Sequence, residues 1–340
     1  MDRQLPRLLY VCTPSHTDEV FPASTYARLE ANFDLDANPT DARYSSEDVA
    51  ERIAGADALI TGWGAPNLTA EVMAKADRLK LIAHSAGSVQ GLLRDVIGEV
   101  RDRGIRVFSA RRGIAYNVAE ATIGYMIALS RRWIDHATHT RGGGWHHPDF
   151  PRNNQGLRGA TVGLLSASAV AREVIPLLAV FNTRVLVYDP CLSDYEAGAL
   201  DVERVDDLDE MFARADFVSL HAPSIAATRH MVGKRQLALL RDGAVFINTS
   251  RGTVLDHDAL TEVARGGRIQ VALDVTTPEP LPSDHPLRGL PNVHITPHTA
   301  GCGYYGYAKI GEATVDAVEA FFAGRPFEGE VDLSRWELYA

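Results

Sequence analysis

The chain has 340 residues, more than the roughly 100–200 of one typical domain, so two domains are expected. Apolar residues at 46% and charged residues at 23% exclude a disordered chain. A net charge of -10 argues against nucleic-acid or anionic-membrane partners, while leaving room for a local anion pocket.

Cys12, Cys191 and Cys302 are widely spaced and fit neither a disulfide framework nor a metal site. With no cleavable leader pattern and no apolar run of about 18 residues, they predict a reduced, cytoplasmic protein.

Up to Ala110, short apolar runs alternate with longer amphipathic ones. Leu8–Cys12, Ala58–Trp63, Leu79–Ser85 and Ile105–Ala110 read as buried strands, and Ser46–Ala54, Thr69–Ala76 and Leu92–Arg103 as helices. The alternation predicts a parallel sheet covered on both faces. Asn117–Arg132 reads as a long, mostly buried helix, with Asn117 as its cap and Glu120 completing a capping box. His136–Gln155 follows, rich in Gly, His and Pro, and reads as an irregular arm. Its histidines, His136, His139, His146 and His147, have no carboxylate or cysteine at ligand spacing and read as surface residues, so no metal is expected.

A second alternating block runs from Thr161 to His298, with strand candidates at Thr161–Leu165, Thr183–Asp189, Phe217–His221, Gly243–Thr249, Gln270–Val275 and Val293–Pro297. Helices such as Asp206–Ala215 and Lys234–Leu240 lie between them, and Tyr304–Ala323 is a helix able to pack back on the first block. The fold class expected is α/β, with two doubly wound parallel-sheet domains and a cleft between them. One comprises residues 1–114 and 302–340, the other 115–301.

Ala160–Pro190 has the outline of a dinucleotide-binding βαβ unit. Where G-x-G-x-x-G would fall stand Ser166, Ser168 and Ala171. Asp189 closes the second strand 21 residues beyond Ser168, near the ~20 expected of an acid that binds an adenosine ribose 2′-hydroxyl. A carboxylate there repels a 2′-phosphate, which favours NAD over NADP. Ala171 is an allowed third residue, and Ser166 is expected in an unstrained dihedral. Either the Ser168 hydroxyl and the helix N-terminus hold the anion, with Ala169 and Val170 beside them, or the site binds cofactor weakly or not at all.

Ile247–Leu260, Ala272–Leu281 and Asn292–Gly301 each place a charged or imidazole group just after a strand, at Arg251, Glu279 and His298. In open α/β sheets that edge is where ligands bind.

Almost the whole chain resembles the D-isomer-specific 2-hydroxyacid dehydrogenase family. The resemblance rests on Asn117 to Glu120, Gly143 to Trp145, the βαβ unit, His221 to Pro223, Asn248 to Gly252, Leu273 to Val275, Glu279 to Leu281 and Thr296 to Gly301. It implies a flavodoxin-like substrate domain and a Rossmann NAD-binding domain, an NAD-dependent interconversion of a small 2-oxoacid and its D-2-hydroxyacid, and a homodimer through the cofactor domain. Arg251 would hold the substrate carboxylate and polarise its carbonyl, as its fork of donors allows. His298 would be the general acid or base, its pKa raised by Glu279.

By the same resemblance Gly87 and Ser88 receive the substrate carboxylate and Asp274 the nicotinamide amide. His221, Ala222 and Pro223 flank the adenosine, and Thr228, Thr249 and Ser250 complete the cofactor set. Glu279 also separates the chain from the formate dehydrogenase branch, where Gln is expected.

His84–Asp95 lacks the Gly-Val-Asp pattern common after the fourth strand, and Arg111 and Arg112 replace small residues or proline. These arginines read as surface charge or as contacts for a second acidic group on the substrate. Trp63, Tyr304 and Tyr305 read as packing or as pocket lining. The rival reading is a redox-inert relative that senses a ligand or binds a protein, which the two serines would suit.

Overall fold

The computed structural model describes residues 5–145 and 155–338; His146 and His147 of the expected arm lie outside them. The chain divides into two compact units, Met1–Ile114 with Cys302–Ala340, and Ala115–Gly301.

Among the described residues of the first unit, β1 (Arg7–Tyr10), β2 (Asp34–Ala37), β3 (Ala58–Thr61), β4 (Leu81–His84) and β5 (Arg106–Ser109) form one parallel sheet in the order β2-β1-β3-β4-β5. The register places Leu9 beside Leu59, Leu59 beside Ile82 and Ile82 beside Val107. These four share one apolar cluster, whereas Leu8, Ala58, Leu81 and Phe108 belong to another. Neighbouring residues of a strand point to opposite faces, so both faces are covered, as unbroken apolar strands require. Each large aliphatic or aromatic side chain fully buried this way contributes roughly 1.5–3 kcal/mol. The edge strand β2, Asp-Leu-Asp-Ala, has no fully buried residue, and this polar pattern hid it from sequence reading.

The helix Tyr304–Phe322 buries Ile310, Thr314, Val315 and Val318 and packs in this unit against the helices Pro14–Val20 and Ala23–Asn32. Gly311 lets it approach closely, since a Cβ there would stand 2.3 Å from the Val20 carbonyl oxygen.

In the second unit β6 (Thr161–Leu165), β7 (Arg184–Tyr188), β8 (Glu203–Arg204), β9 (Phe217–Leu220), β10 (Val245–Asn248), β11 (Gln270–Leu273) and β12 (Val293–Ile295) pair in parallel, in the order β12-β11-β10-β9-β6-β7-β8. The order reverses between β6 and β9, which makes the end of β6 a topological switch point. Strand β8 is only two residues long, too short for a periodic signal. Among the described residues no helix is long and apolar enough to cross a membrane.

Two local expectations are corrected. The long helix spans Arg111–Ser130, so Asn117 is not its cap but a buried interior residue whose side-chain amide donates to the Gly301 carbonyl at 2.8 Å. The Ser109 hydroxyl accepts from the Arg111 amide at 3.3 Å and serves the helix start instead. The arm is helical at its beginning, over Trp133–Arg141, and carries His136 and His139. Glycines 142–144 follow that helix and accounted for the irregular pattern.

Candidate active site

Three loops leaving β10, β11 and β12 carry Arg251, Glu279 and His298, the groups expected at this sheet edge. Arg251 follows β10 and is half-buried, with Nη1 donating to the Ser250 carbonyl at 2.7 Å. Burial lowers its pKa, and the nearby Glu279 charge opposes that shift. Gly252 is required by contact: a Cβ would stand 2.1 Å from both the carbonyl carbon and oxygen of Thr276. Backbone against backbone, the Arg251 loop thus lies on the loop that carries Glu279.

Glu279 in turn accepts from His298 Nδ1 at 2.7 Å. Both side chains are about half exposed, at 42% and 51%.

The His298 loop is held from below by Asp274, which is buried at the end of β11. Its Oδ1 accepts from the Thr296 hydroxyl at 2.6 Å and the Thr299 amide at 2.9 Å, its Oδ2 from the Ala300 amide at 2.9 Å, and its carbonyl from the His298 amide at 2.9 Å. His298 adopts φ +55°, in the left-handed region where non-glycine residues are uncommon. Tyr125, from the long helix, closes this layer through a 2.7 Å hydrogen bond between its hydroxyl and that of Thr296. Periodicity marked Tyr125 only as part of a buried helix, with no hint of a polar partner.

At the switch point, Ser166 follows β6 with φ +80°, contrary to the unstrained dihedral expected. The turn keeps the left-handed backbone for which glycine is the usual residue. Its hydroxyl donates to Asp189 Oδ2 at 3.0 Å, the Ala167 amide donates to the same oxygen at 2.8 Å, and the Cys191 amide to Oδ1 at 2.8 Å.

Ser168 precedes the helix Ala169–Ala179, and its side chain makes no cap hydrogen bond. Its Oγ is buried without a partner among the described residues, as is His221 Nε2. Burial pushes the His221 pKa down to about 3, so this imidazole is neutral. Unspent polar atoms beside a left-handed turn and a strand-end carboxylate fit a polar ligand such as a dinucleotide.

The other expected cofactor residues sit at the same strand ends. His221, Ala222 and Pro223 follow β9, and Thr228 folds back to donate to the Pro223 carbonyl at 2.5 Å. Thr249 is buried, its hydroxyl 3.2 Å from that of Thr122, and the Ser250 hydroxyl donates to Asn248 Oδ1 at 3.0 Å.

In the first unit Gly87 and Ser88 follow β4; the Gly87 carbonyl accepts from the Ser109 hydroxyl, and the Ser88 hydroxyl accepts from the Gln90 amide at 3.2 Å. Arg112 pairs with Glu328 at 2.8 Å. Trp63 lies edge-on to His16 and tilted on Tyr307, whereas Tyr304 and Tyr305 are 80% and 84% exposed. Trp63 is thus partly packed yet still 40% exposed, and the two tyrosines are open to solvent.

A reversed parallel sheet, a left-handed turn at its switch point and a carboxylate at the end of the next strand define an NAD(P)-binding α/β protein. Residues 123–300 match the family model "D-isomer specific 2-hydroxyacid dehydrogenase, NAD binding domain". The chain is 31% identical over 290 residues to a D-3-phosphoglycerate dehydrogenase of Methanocaldococcus jannaschii, covering 85% of this chain and 54% of that one. It thus spans about half the length of that relative. It is 30% identical over 306 residues to a glyoxylate reductase of Korarchaeum cryptofilum, covering 89% and 91% of the two chains. A phosphoglycerate oxidoreductase from Rhizobium etli superposes with a TM-score of 0.82 over 98% of this chain and 100% of that one, at 24% identity, a likeness of fold. The chain belongs to the D-isomer specific 2-hydroxyacid dehydrogenase family and carries its NAD(P)-binding domain.

Proposed function

We propose that the protein is an NAD-dependent D-2-hydroxyacid dehydrogenase acting on a small 2-oxoacid and its D-2-hydroxyacid. The observation that carries this reading is the coupling of three groups on adjacent loops: the Arg251 loop lies on the Glu279 loop through Gly252, and Glu279 holds His298 at 2.7 Å. NADH, when bound, supplies the hydride. Arg251 binds the substrate carboxylate and draws charge onto the carbonyl oxygen through its paired donors. Glu279 fixes the imidazole through Nδ1, which leaves Nε2 to deliver a proton to that oxygen, or to accept one in the oxidative direction.

Asp274 spends three acceptor positions on its loop and keeps about one of a carboxylate's four for the nicotinamide amide. Asp189 supports NAD over NADP, because a fixed carboxylate repels a 2′-phosphate. The cofactor contacts proposed with it are Ser168, Ala169, Val170, His221, Ala222, Pro223, Thr228, Thr249 and Ser250. Gly87 and Ser88 are proposed to hold substrate through backbone amides.

The assignment of Met1–Ile114 with Cys302–Ala340 as the substrate domain belongs to the same reading. Exposed Trp133, Ile134 and Trp145 support a homodimer through the second unit, which gel filtration at low concentration tests. Three free cysteines suit a reducing, cytoplasmic setting.

A panel of 2-oxoacids with NADH or NADPH tests the activity, and folded protein with no turnover on any of them overturns it. The two serines in the phosphate turn favour one rival, a redox-inert ligand sensor or protein-binding relative. Nucleotide binding without turnover would support that reading.

A further inference from the structure

We propose that Ser166 is a positioning residue for Asp189 and thereby makes the second unit selective for a dinucleotide with a free ribose 2′-hydroxyl. The inference rests on the dinucleotide reading above. A serine at φ +80° holds a backbone conformation that glycine adopts without strain, and one side-chain contact fastens it to the end of the next strand. That contact is the 3.0 Å bond from its hydroxyl to Asp189 Oδ2.

The Ala167 amide reaches the same oxygen at 2.8 Å, and the Cys191 amide reaches Oδ1 at 2.8 Å. A carboxylate offers about four acceptor positions. Oδ2 is therefore filled and Oδ1 keeps one, enough for a single hydroxyl donor and useless to a phosphate, which brings only acceptors.

The nearby cation does not relieve this. Arg172, on the helix that opens from the turn, donates through Nε to the Ala167 carbonyl at 3.0 Å and through Nη2 to Glu196 at 3.1 Å. A 2′-phosphate would meet a pinned carboxylate and an arginine already engaged by another acid. With glycine in place of Ser166, Oδ2 would keep only the backbone donor, and the carboxylate would be freer to turn away from either ribose.

The test is a fluorescence titration of the full chain with NADH and with NADPH, in the wild type, Ser166→Ala, Ser166→Gly, Asp189→Ala and the Ser166→Ala/Asp189→Ala pair. The wild type is expected to bind NADH at least about tenfold tighter than NADPH. Ser166→Ala should weaken NADH roughly five- to tenfold, only part of the worth of one hydrogen bond to a charged acceptor because the bond acts on the nucleotide through the carboxylate's orientation, and move NADPH less than about twofold. In the Asp189→Ala background the same substitution should have no further effect on NADH, because its action passes through the carboxylate.

Equal weakening of both nucleotides, or additive effects in the pair, would show that Ser166 only shapes the turn. A wild type that binds neither nucleotide, or prefers NADPH, would overturn the NAD reading itself and this inference with it. If Ser166→Ala fails to fold, Ser166→Gly carries the test, since it accepts φ +80° without strain.

Discussion

Replacing Asp274 with Asn keeps the shape of a buried side chain and changes only its charge and one acceptor. The carboxylate accepts from Thr296, Thr299 and Ala300 at 2.6, 2.9 and 2.9 Å. If the amide oxygen of the variant stays with Thr296 and Thr299, its NH2 group faces the Ala300 amide, donor against donor. Hydrogen bonds to a charged acceptor contribute about 1.5–3 kcal/mol and neutral ones about 0.5–1.5, so two bonds weaken by about 1 kcal/mol each. The third is lost, and an orphaned buried amide adds about 1–3 kcal/mol.

The easier burial of a neutral side chain returns part of this, which leaves a net loss of about 3–5 kcal/mol. In a unit of this size that is a fall in Tm of roughly 6–20 °C. Calorimetry of the wild type and the variant measures it, and hydrogen exchange should show the Thr299 and Ala300 amides opening first. A loss below about 1 kcal/mol, with those amides still protected, would refute the claim that Asp274 holds the His298 loop.

Gly252→Ala should disrupt the centre more locally, because the new Cβ meets the Thr276 backbone at 2.1 Å and backbone has to move. A loss of about 2–4 kcal/mol in urea unfolding is expected, and an unchanged midpoint would contradict the contact. Under the proposed activity, His298→Asn should reduce kcat by at least about a hundredfold while NADH affinity, read by fluorescence, changes little. Glu279→Gln should lower kcat/KM, since the imidazole loses the carboxylate that fixes it through Nδ1, and an unchanged value would contradict that role.

In the first unit, burial pushes the pKa of His16 and of His84 from 6.5 down to about 4. A histidine kept neutral by burial stabilises the fold above its unfolded value, and that contribution is lost as pH falls from about 6.5 toward 4. Unfolding midpoints across this range should therefore drop, and His84→Gln should flatten the slope. An unchanged slope would exclude this histidine as a source of the acid sensitivity.

The sequence by itself determined the alternation of strands and helices, because unbroken apolar runs such as Ala58–Thr61 and Val245–Asn248 have only a buried parallel sheet to enter. It also determined which groups stand after β10, β11 and β12, since a strand's end is marked wherever the apolar run stops. Tertiary structure decided what those groups touch. The 2.7 Å bond between Glu279 and His298 joins residues 19 apart, and the Gly252 contact depends on where the Thr276 backbone passes, neither of which leaves a periodic trace.

Polar edges and interior caps were decided there as well. Strand β2 pairs through its backbone although its side chains give no apolar signal, and Asn117, inside the helix, spends its amide on Gly301 while Ser109 serves the helix start. At the turn after β6 the letters read as lost glycines, whereas the fold keeps the left-handed backbone and turns one serine hydroxyl toward Asp189. Backbone conformation there is set by the strand, the helix and the carboxylate around it, and a residue type alone does not report it.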